Sequence, residues 1–186
     1  MSAPLLVTVS AKVLRAQLDA LATMLGPEAY GAVLARLSDD DRAVVEALER
    51  TDRAHAGLAT RVLTEAAAQS GRELDELRDA VLHQWALHSF QTAWGSLLNP
   101  SNEETLAARA AAVVHRAYDR GEVVSATSDL GRCDVLVSAW AAMPEHAMHE
   151  LRVVFRTTLE LTGHRDVRVA VGRTPHGALF KLSWRT

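Results

Sequence analysis

Apolar residues in the first 120 positions recur at steps of three and four, the spacing of side chains along one face of a helix. The first run ends at Gly26 and Pro27, where glycine suits a helix C-terminus and proline cannot continue the hydrogen bonds. Its apolar face comprises Val13, Leu14, Leu18, Leu21 and Leu25. Ser38, with Asp41 three residues later, resembles a capping box. The pattern predicts helices over 11–25, 28–37, 38–48, 52–69, 72–98 and 102–120.

After Gly121 the period changes to two, which is typical of a strand with one buried face. The alternation is clearest where Cys133, Val135, Val137 and Ala139 interleave with Asp134, Leu136, Ser138 and Trp140. A helix then begins near Pro144, with an inner stripe of Met148, Leu151, Phe155, Thr158, Leu159 and Thr162. Two further alternating runs follow, separated by a turn at 174–177.

This order predicts an α+β fold. An N-terminal helical half, at about 10–120, precedes a β-β-α-β-β half at about 121–186. Two hairpins joined by a helix give a four-stranded antiparallel sheet layer with helices on one face. No linker separates the halves, so we expect a single packed domain over 1–186.

Composition indicates a globular protein. The chain has 186 residues, of which 48% are hydrophobic, enough to bury a core without disulfides or metals. Its one cysteine, Cys133, lies on the apolar side of a strand, which predicts a small buried hydrophobe. With no signal-peptide pattern and no apolar stretch of roughly 18 residues, we expect a cytoplasmic protein without membrane association.

Charge is unevenly distributed along the chain. The formal net charge is −3, so we expect no nucleic-acid binding. From Leu151 onward, however, seven basic residues stand against two acidic ones. These basic residues either line the solvent-facing side of a helix and sheet or form a site for an acidic ligand or partner.

Motifs for nucleotide binding and nucleophilic catalysis are absent. The sequence lacks G-x-G-x-x-G, G-x-x-x-x-G-K-[ST] and G-x-S-x-G, and holds only two lysines. His146, His149 and Glu150 have helical spacing that can bring imidazole and carboxylate groups together. Their order matches neither H-E-x-x-H nor H-x-x-E-H, and the alternative is that they lie on an exposed first helical turn. We predict no metal site, and His146, His149 and Glu150 are the residues that would form one.

Two histidines lie beside aromatic residues on the long helix over 72–98. Imidazoles near aromatic rings can hold haem iron or face an organic ligand. His83 and His88 are five residues apart, so they point to different sides of the helix. Either one serves a ligand, or one belongs to the core and the other to the surface. The candidate ligand-binding residues are His83, Trp85, His88 and Phe155.

Four stretches carry a resemblance to a known family. They read AAAQSGRELDEL at 66–77, HRAYDRGE at 115–122, LELTGHRDVRV at 159–169 and FKLSW at 180–184. Over about 55–186 the chain resembles a bacterial family of myxobacterial type, similar in its C-terminal part to vinyl-4-reductase-type and haem-NO-binding-like sensor domains. The resemblance implies an α/β domain that often dimerises, can hold a small hydrophobic ligand between helices and sheet, and acts as a sensor or adaptor.

The same resemblance bears on cofactors. Vinyl-4-reductase-type members often carry zinc-binding cysteines around the last hairpin, and here 172–178 reads GRTPHGA, without cysteine. Haem-binding members use a Tyr-x-Ser-x-Arg signature, which this sequence lacks. We therefore expect no cofactor, neither haem nor zinc.

The leading hypothesis is a non-catalytic module, sensor-like or adaptor-like, that binds a small molecule or a protein. Trp140 and Leu136 lie opposite the predicted buried side of their strand and are candidates for a homodimer face. One alternative is a haem or gas sensor that uses His83, His88 or His115. Another is an enzyme whose site is assembled from scattered residues, because catalytic groups meet in space without meeting in the chain.

Overall fold

The computed structural model describes residues 7–92 and 104–185, which fall into two compact units. Of the described residues, unit 1 comprises 7–85 and 117–119, and unit 2 comprises 86–92, 104–116 and 120–185. Helices and antiparallel strands are both present, which confirms the α+β class. The packing of both halves as one domain stays a prediction. The predicted helix end at 98 and helix start at 102 lie outside the described residues.

Unit 1 consists of helices and a two-stranded sheet. In chain order its elements are β1 (Thr8–Ser10), α1 (Ala11–Leu25), α2 (Pro27–Arg36), α3 (Asp39–Ala47), β2 (Arg53–His55), α4 (Gly57–Ser70) and most of α5 (Leu74–Gln91). Pro27 occupies the first turn of α2, where its missing N–H is not needed. The Ser38 hydroxyl accepts a hydrogen bond from the Asp41 backbone N–H at 3.1 Å. This bond confirms the predicted cap of α3.

Residues 53–55 form a strand where the sequence predicts a helix. β2 pairs antiparallel with β1, and Val9 lies opposite Ala54. The Ala56 backbone N–H also donates to the Val7 carbonyl at 3.0 Å. As a result α4 begins at Gly57 and not near 52. Three residues are too few to show a period of two, so pairing with β1 decides the conformation.

The core of unit 1 is closely packed around side chains of α1, α4 and α5. Leu14 and Leu21 of α1, Val62 of α4 and Leu77 of α5 are each fully buried. A void of about 10 Å³ is bounded by residues of the same three helices. That volume holds one water molecule at most.

Unit 2 contains a four-stranded sheet. Its elements are the end of α5, α6 (Glu104–Ala117), β3 (Glu122–Asp129), β4 (Arg132–Ser138), α7 (Glu145–Leu161), β5 (Arg165–Thr174) and β6 (Gly177–Arg185). The strand order is β3-β4-β6-β5 and every neighbouring pair is antiparallel. The predicted β-β-α-β-β order is therefore confirmed.

One face of this sheet forms the core of unit 2. Cys133, Val135 and Val137 of β4 are buried, as the period-two pattern predicts. Phe155 of α7 packs edge-on against Phe180 of β6, with ring centroids 5.1 Å apart. The predicted inner stripe of α7 is buried except at Thr162, which is half-buried and follows the end of the helix.

Trp140 does not lie on an exposed face, contrary to the sequence prediction. β4 ends at Ser138, and Ala139 takes a left-handed φ of 55°. That turn breaks the alternation, and the Trp140 side chain is 1% exposed. Leu136 is half-buried. Trp140 is consequently unavailable for the predicted homodimer face.

Among the helices that the structure describes, none has the length and apolar character needed to cross a bilayer.

Candidate functional site

An open groove of about 590 Å³ lies at the end of β4 in unit 2. Its lining comprises Arg120, Ser138, Ala139, Trp140, Ala141 and His176. These residues come from the approach to β3, the β4–α7 connection and the β5–β6 turn. The sheet register pairs Val137 with Ala178, which brings the end of β4 beside that turn.

The connection that lines the groove has an unusual backbone. Ala139 and Ala142 both adopt left-handed φ, at 55° and 57°. Such a conformation costs a non-glycine residue of order 1–3 kcal/mol and persists only where the surroundings enforce it. Here the Trp140 backbone N–H donates to the His176 carbonyl at 3.0 Å. An Arg173 guanidinium N–H also donates to the Met143 carbonyl at 2.6 Å.

Trp140 lines the groove with an indole that is almost entirely buried. It is packed so closely against the backbone of Gly121 that a Cβ there would lie 2.9 Å from the indole Cε3. The same Cβ would lie 3.3 Å from methyl groups of Val114 and Val137. Gly121 has φ +91°, so glycine is required both for space and for conformation.

The polar groups of the groove suit an anionic ligand. Arg120 presents a guanidinium, Ser138 a hydroxyl and His176 an exposed imidazole, and no carboxylate belongs to the described lining. Guanidinium groups bind carboxylates and phosphates in bidentate fashion, and hydroxyls add a further donor. The groove can therefore hold a carboxylate.

The four predicted ligand-binding residues do not meet in this groove. His83 and Trp85 belong to unit 1, whereas His88 and Phe155 belong to unit 2. Trp85 and Phe155 are buried, His83 is half-buried and His88 is exposed. None of the four is among the residues that line the groove. Their role in ligand binding stays a prediction.

The weak metal candidates are placed differently from the predicted exposed turn. His146 and Glu150 are 5% and 0% exposed, and their Nε2 and Oε2 atoms are 3.8 Å apart. His149 lies 3.6 Å from Glu145 through Nε2 and Oε1. The two imidazoles thus contact different carboxylates. Within the described residues, no three His, Cys, Asp or Glu side chains are arranged to hold a metal ion.

A second depression, the charged cleft, lies in unit 1 and has a volume of about 260 Å³. Its lining comprises Arg36, Leu37, Ser38, Asp41, Arg61, Thr64 and Glu65. The Arg61 guanidinium donates to both Asp41 oxygens, at 2.7 and 2.6 Å. These bonds lower the pKa of Asp41 and raise the pKa of Arg61. The charges of Arg61 and Asp41 therefore neutralise each other within the cleft.

Sequence reasoning missed Arg120, Ser138 and His176 as site residues. Arg120 and His176 are 56 positions apart in the sequence, and no motif links them. The one available signal is Gly121, a glycine directly before a strand and directly after Arg120. Such a glycine can mark a close approach of backbone and side chain.

Comparison with solved structures reveals a known fold. The Fe(II) unliganded H-NOX protein from K. algicida is 11% identical, with a TM-score of 0.66 over 95% of this chain and 97% of that one. An oxygen-binding H-NOX domain related to soluble guanylate cyclases is 8% identical, with a TM-score of 0.63 over 95% of each chain. A structure concerned with haem redox potential and porphyrin distortion is 9% identical, with a TM-score of 0.64 over 95% of each chain. No protein-family model and no curated protein matches the sequence.

These similarities support one part of the predicted resemblance and correct another prediction. The fold is that of H-NOX domains, as the resemblance to haem-NO-binding sensors implies. The resemblance to vinyl-4-reductase-type domains stays a prediction. The expectation of no haem is wrong, because solved structures that share this fold along 95% of the chain are described as Fe(II) and haem proteins.

Proposed function

We propose that this chain is a non-catalytic sensor domain of the H-NOX fold and that it binds haem. The observation that carries the proposal is the similarity to Fe(II) and oxygen-binding H-NOX structures over 95% of this chain. The absence of nucleotide-binding and nucleophile motifs from the sequence agrees with a non-catalytic role.

The chain offers side chains that fit the carboxylates of haem. The groove in unit 2 combines the Arg120 guanidinium, the Ser138 hydroxyl and the His176 imidazole beside the Trp140 ring. A guanidinium holds a carboxylate by paired hydrogen bonds, and a rigid indole keeps its neighbours in place. We assign the binding of haem carboxylates to Arg120 and Ser138.

Haem also requires an axial donor, and histidine is a frequent one. His115, in the last turn of α6, is exposed and forms no hydrogen bond or ion pair with any side chain that the structure describes. Five residues later the chain reaches Arg120. His88 is likewise exposed, whereas His83 is half-buried and already has an interaction partner. We therefore take His115 as the first candidate to bind the haem iron and His88 as the second.

Bound haem would supply an iron atom that can bind a diatomic gas. The residues of this chain would hold it: Arg120 and Ser138 through its carboxylates and a histidine through its iron. The signal would then reach a partner protein, as expected of a sensor or adaptor.

The test is titration of the purified protein with hemin, followed by absorbance in the Soret region. We expect saturable binding of one haem per chain, with a Soret maximum distinct from that of free hemin. His115→Ala should weaken binding by at least roughly tenfold and shift the Soret maximum, because it removes a direct iron ligand. His83→Ala is the matched control, since it also removes one imidazole, and His88→Ala tests the second candidate.

Absence of a saturable Soret change in the unmodified protein would end the haem proposal. If His88→Ala had the larger effect, the axial assignment would move to His88 and the haem proposal would stand. If all three variants matched the unmodified protein, ligation of the iron by His83, His88 or His115 would be excluded.

Two further expectations remain proposals: a homodimer, and a small hydrophobic ligand. Native mass spectrometry of the freshly purified protein tests both together. A monomer without any adduct would argue against each of them.

A further inference from the structure

β5 is an edge strand with a long unpaired side. It pairs with β6 on one side, and no described residue pairs with the other side. The irregularity in its pairing lies at its start, between Arg165 and Arg168, where Asp166 has φ 52°. From Arg168 to Thr174 the register is regular. A regular, unpaired edge is a template for pairing with another strand.

The core-facing side of β5 is incompletely covered. Val169 and Val171 lie opposite Leu182 and Phe180, so they share the buried face of the sheet. Leu182 and Phe180 are 2% and 0% exposed, but both valines are half-buried. The apolar face of the sheet is therefore less buried at β5 than at β6. An added strand with apolar residues on the same face would extend it.

The opposite side of β5 is basic and uncrowded. Arg168 lies opposite Ser183, and Lys181 lies opposite Ala170. Neither cation takes part in an ion pair with any described residue, and both are exposed. Ala170 and the nearby Gly172 leave room for the side chains of a neighbouring strand.

We propose that the free edge of β5 receives an extended segment of a partner protein in which acidic residues alternate with apolar ones. Alternate side chains of an added strand point to opposite faces of the sheet. Acidic residues would then face Arg168 and Lys181, while apolar residues would cover Val169 and Val171.

Charge argues against a second copy of β5 as the occupant. The strand carries three arginines, including Arg165 and Arg173 at its two ends, and one acidic residue. That residue, Asp166, already pairs with Arg185 at 3.2 Å between Oδ2 and an Nη atom. Two copies of β5 would bring like charges together, which disfavours strand pairing.

The probe is a fluorescein-labelled peptide of five Glu-Val repeats, followed by fluorescence anisotropy and amide hydrogen exchange. We expect saturable binding that weakens as salt rises, because exposed charges are screened. Exchange should slow at the amides of 168–174 when the peptide binds. A Lys-Val peptide of the same length is the matched probe and should bind at least roughly tenfold more weakly.

The matched protein variants are Arg168→Glu with Lys181→Glu, and Lys12→Glu with Arg50→Glu. Both pairs replace exposed cations and alter the net charge equally. The first pair should weaken Glu-Val binding by about tenfold or more, and the second should leave it within about twofold. Circular dichroism would check that both variants fold.

Three results would overturn the proposal. The first is equal binding by both protein variants or by both peptides. The second is peptide-induced protection at β3 in place of β5. The third is a stable dimer in which the amides of β5 are already protected without peptide, because a second copy would then occupy the edge.

Discussion

The charged cleft of unit 1 and the groove of unit 2 both contain arginine, yet the arginines are used differently. In the cleft, Arg61 donates two hydrogen bonds to Asp41, and Arg36 lies 3.4 Å from Glu65 between Nε and Oε2. In the groove, Arg120 has no carboxylate among the described lining residues. The cleft is therefore a closed set of ion pairs, and the groove has donors left for a ligand.

The backbone makes the same distinction. The cleft lies between the middle of α4 and the junction of α2 with α3, where Ser38 forms a regular cap. The groove is built on a connection with left-handed residues at Ala139 and Ala142. Strained backbone clusters at functional sites, where the surrounding structure holds it in place. The cleft thus holds stabilising ion pairs. The groove combines a strained backbone with side-chain donors that remain available for a ligand.

The largest expected effect is a loss of stability in Gly121→Ala. A methyl group would meet the Trp140 ring and the alanine would be held at φ +91°. Steric overlap and an unfavourable φ together predict a loss of about 3 kcal/mol in the free energy of unfolding. Urea unfolding followed by tryptophan fluorescence measures it.

Gly31→Ala is the matched control for that substitution. Gly31 lies inside α2, and a Cβ added there would have no atom of a described neighbour within 4 Å. Alanine is the better helix former, so we expect stabilisation of roughly 0.5–1 kcal/mol. Equal effects of the two substitutions would contradict the tight packing of Gly121 against Trp140.

The next effect concerns the groove's free guanidinium. Arg120→Ala should weaken hemin binding by about tenfold, because a charge-assisted pair with a carboxylate is lost. The free energy of unfolding should change by less than roughly 0.5 kcal/mol, since Arg120 supports no described ion pair. Hemin titration and urea unfolding of one preparation measure both. A large loss of stability with unchanged hemin affinity would reverse the contrast between groove and cleft.

Periodicity predicted the elements of this fold where a face is buried along a whole element. α1, α7 and β4 follow from apolar spacing, since one side of each is in the core. β2 could not be predicted, because three residues carry no period and its partner β1 lies over 40 positions earlier. The groove could not be predicted either. It depends on the register of β4 with β6 and on left-handed alanines, and neither is encoded in a local pattern.

Arg61→Ala should lower the free energy of unfolding by less than Gly121→Ala does. Unlike Arg120→Ala, it should leave hemin binding unchanged. The substitution removes both hydrogen bonds to Asp41. Because the Arg61 side chain is 49% exposed, solvent screening limits the loss to about 1 kcal/mol. Urea unfolding measures the loss, and hemin affinity should stay unchanged. A larger effect on hemin binding than on stability would show that the cleft also serves a ligand.

The smallest effect is a pH dependence confined to the cleft. The hydrogen bond from Arg61 is the largest cause that lowers the pKa of Asp41 below its ordinary value of 3.8. The charged carboxylate is therefore favoured in the folded state, and its contribution is fully present well above pH 4. It is lost as pH falls from about 4 through the lowered folded pKa.

Asp41→Asn has no such titration, so its deficit in unfolding free energy relative to the unmodified protein should shrink below pH 4. We expect a change of a few tenths of a kcal/mol, because the pair is partly exposed. Urea unfolding of both proteins at pH 7, 5 and 3 gives the comparison, and a deficit that stays constant down to pH 3 would contradict the assignment.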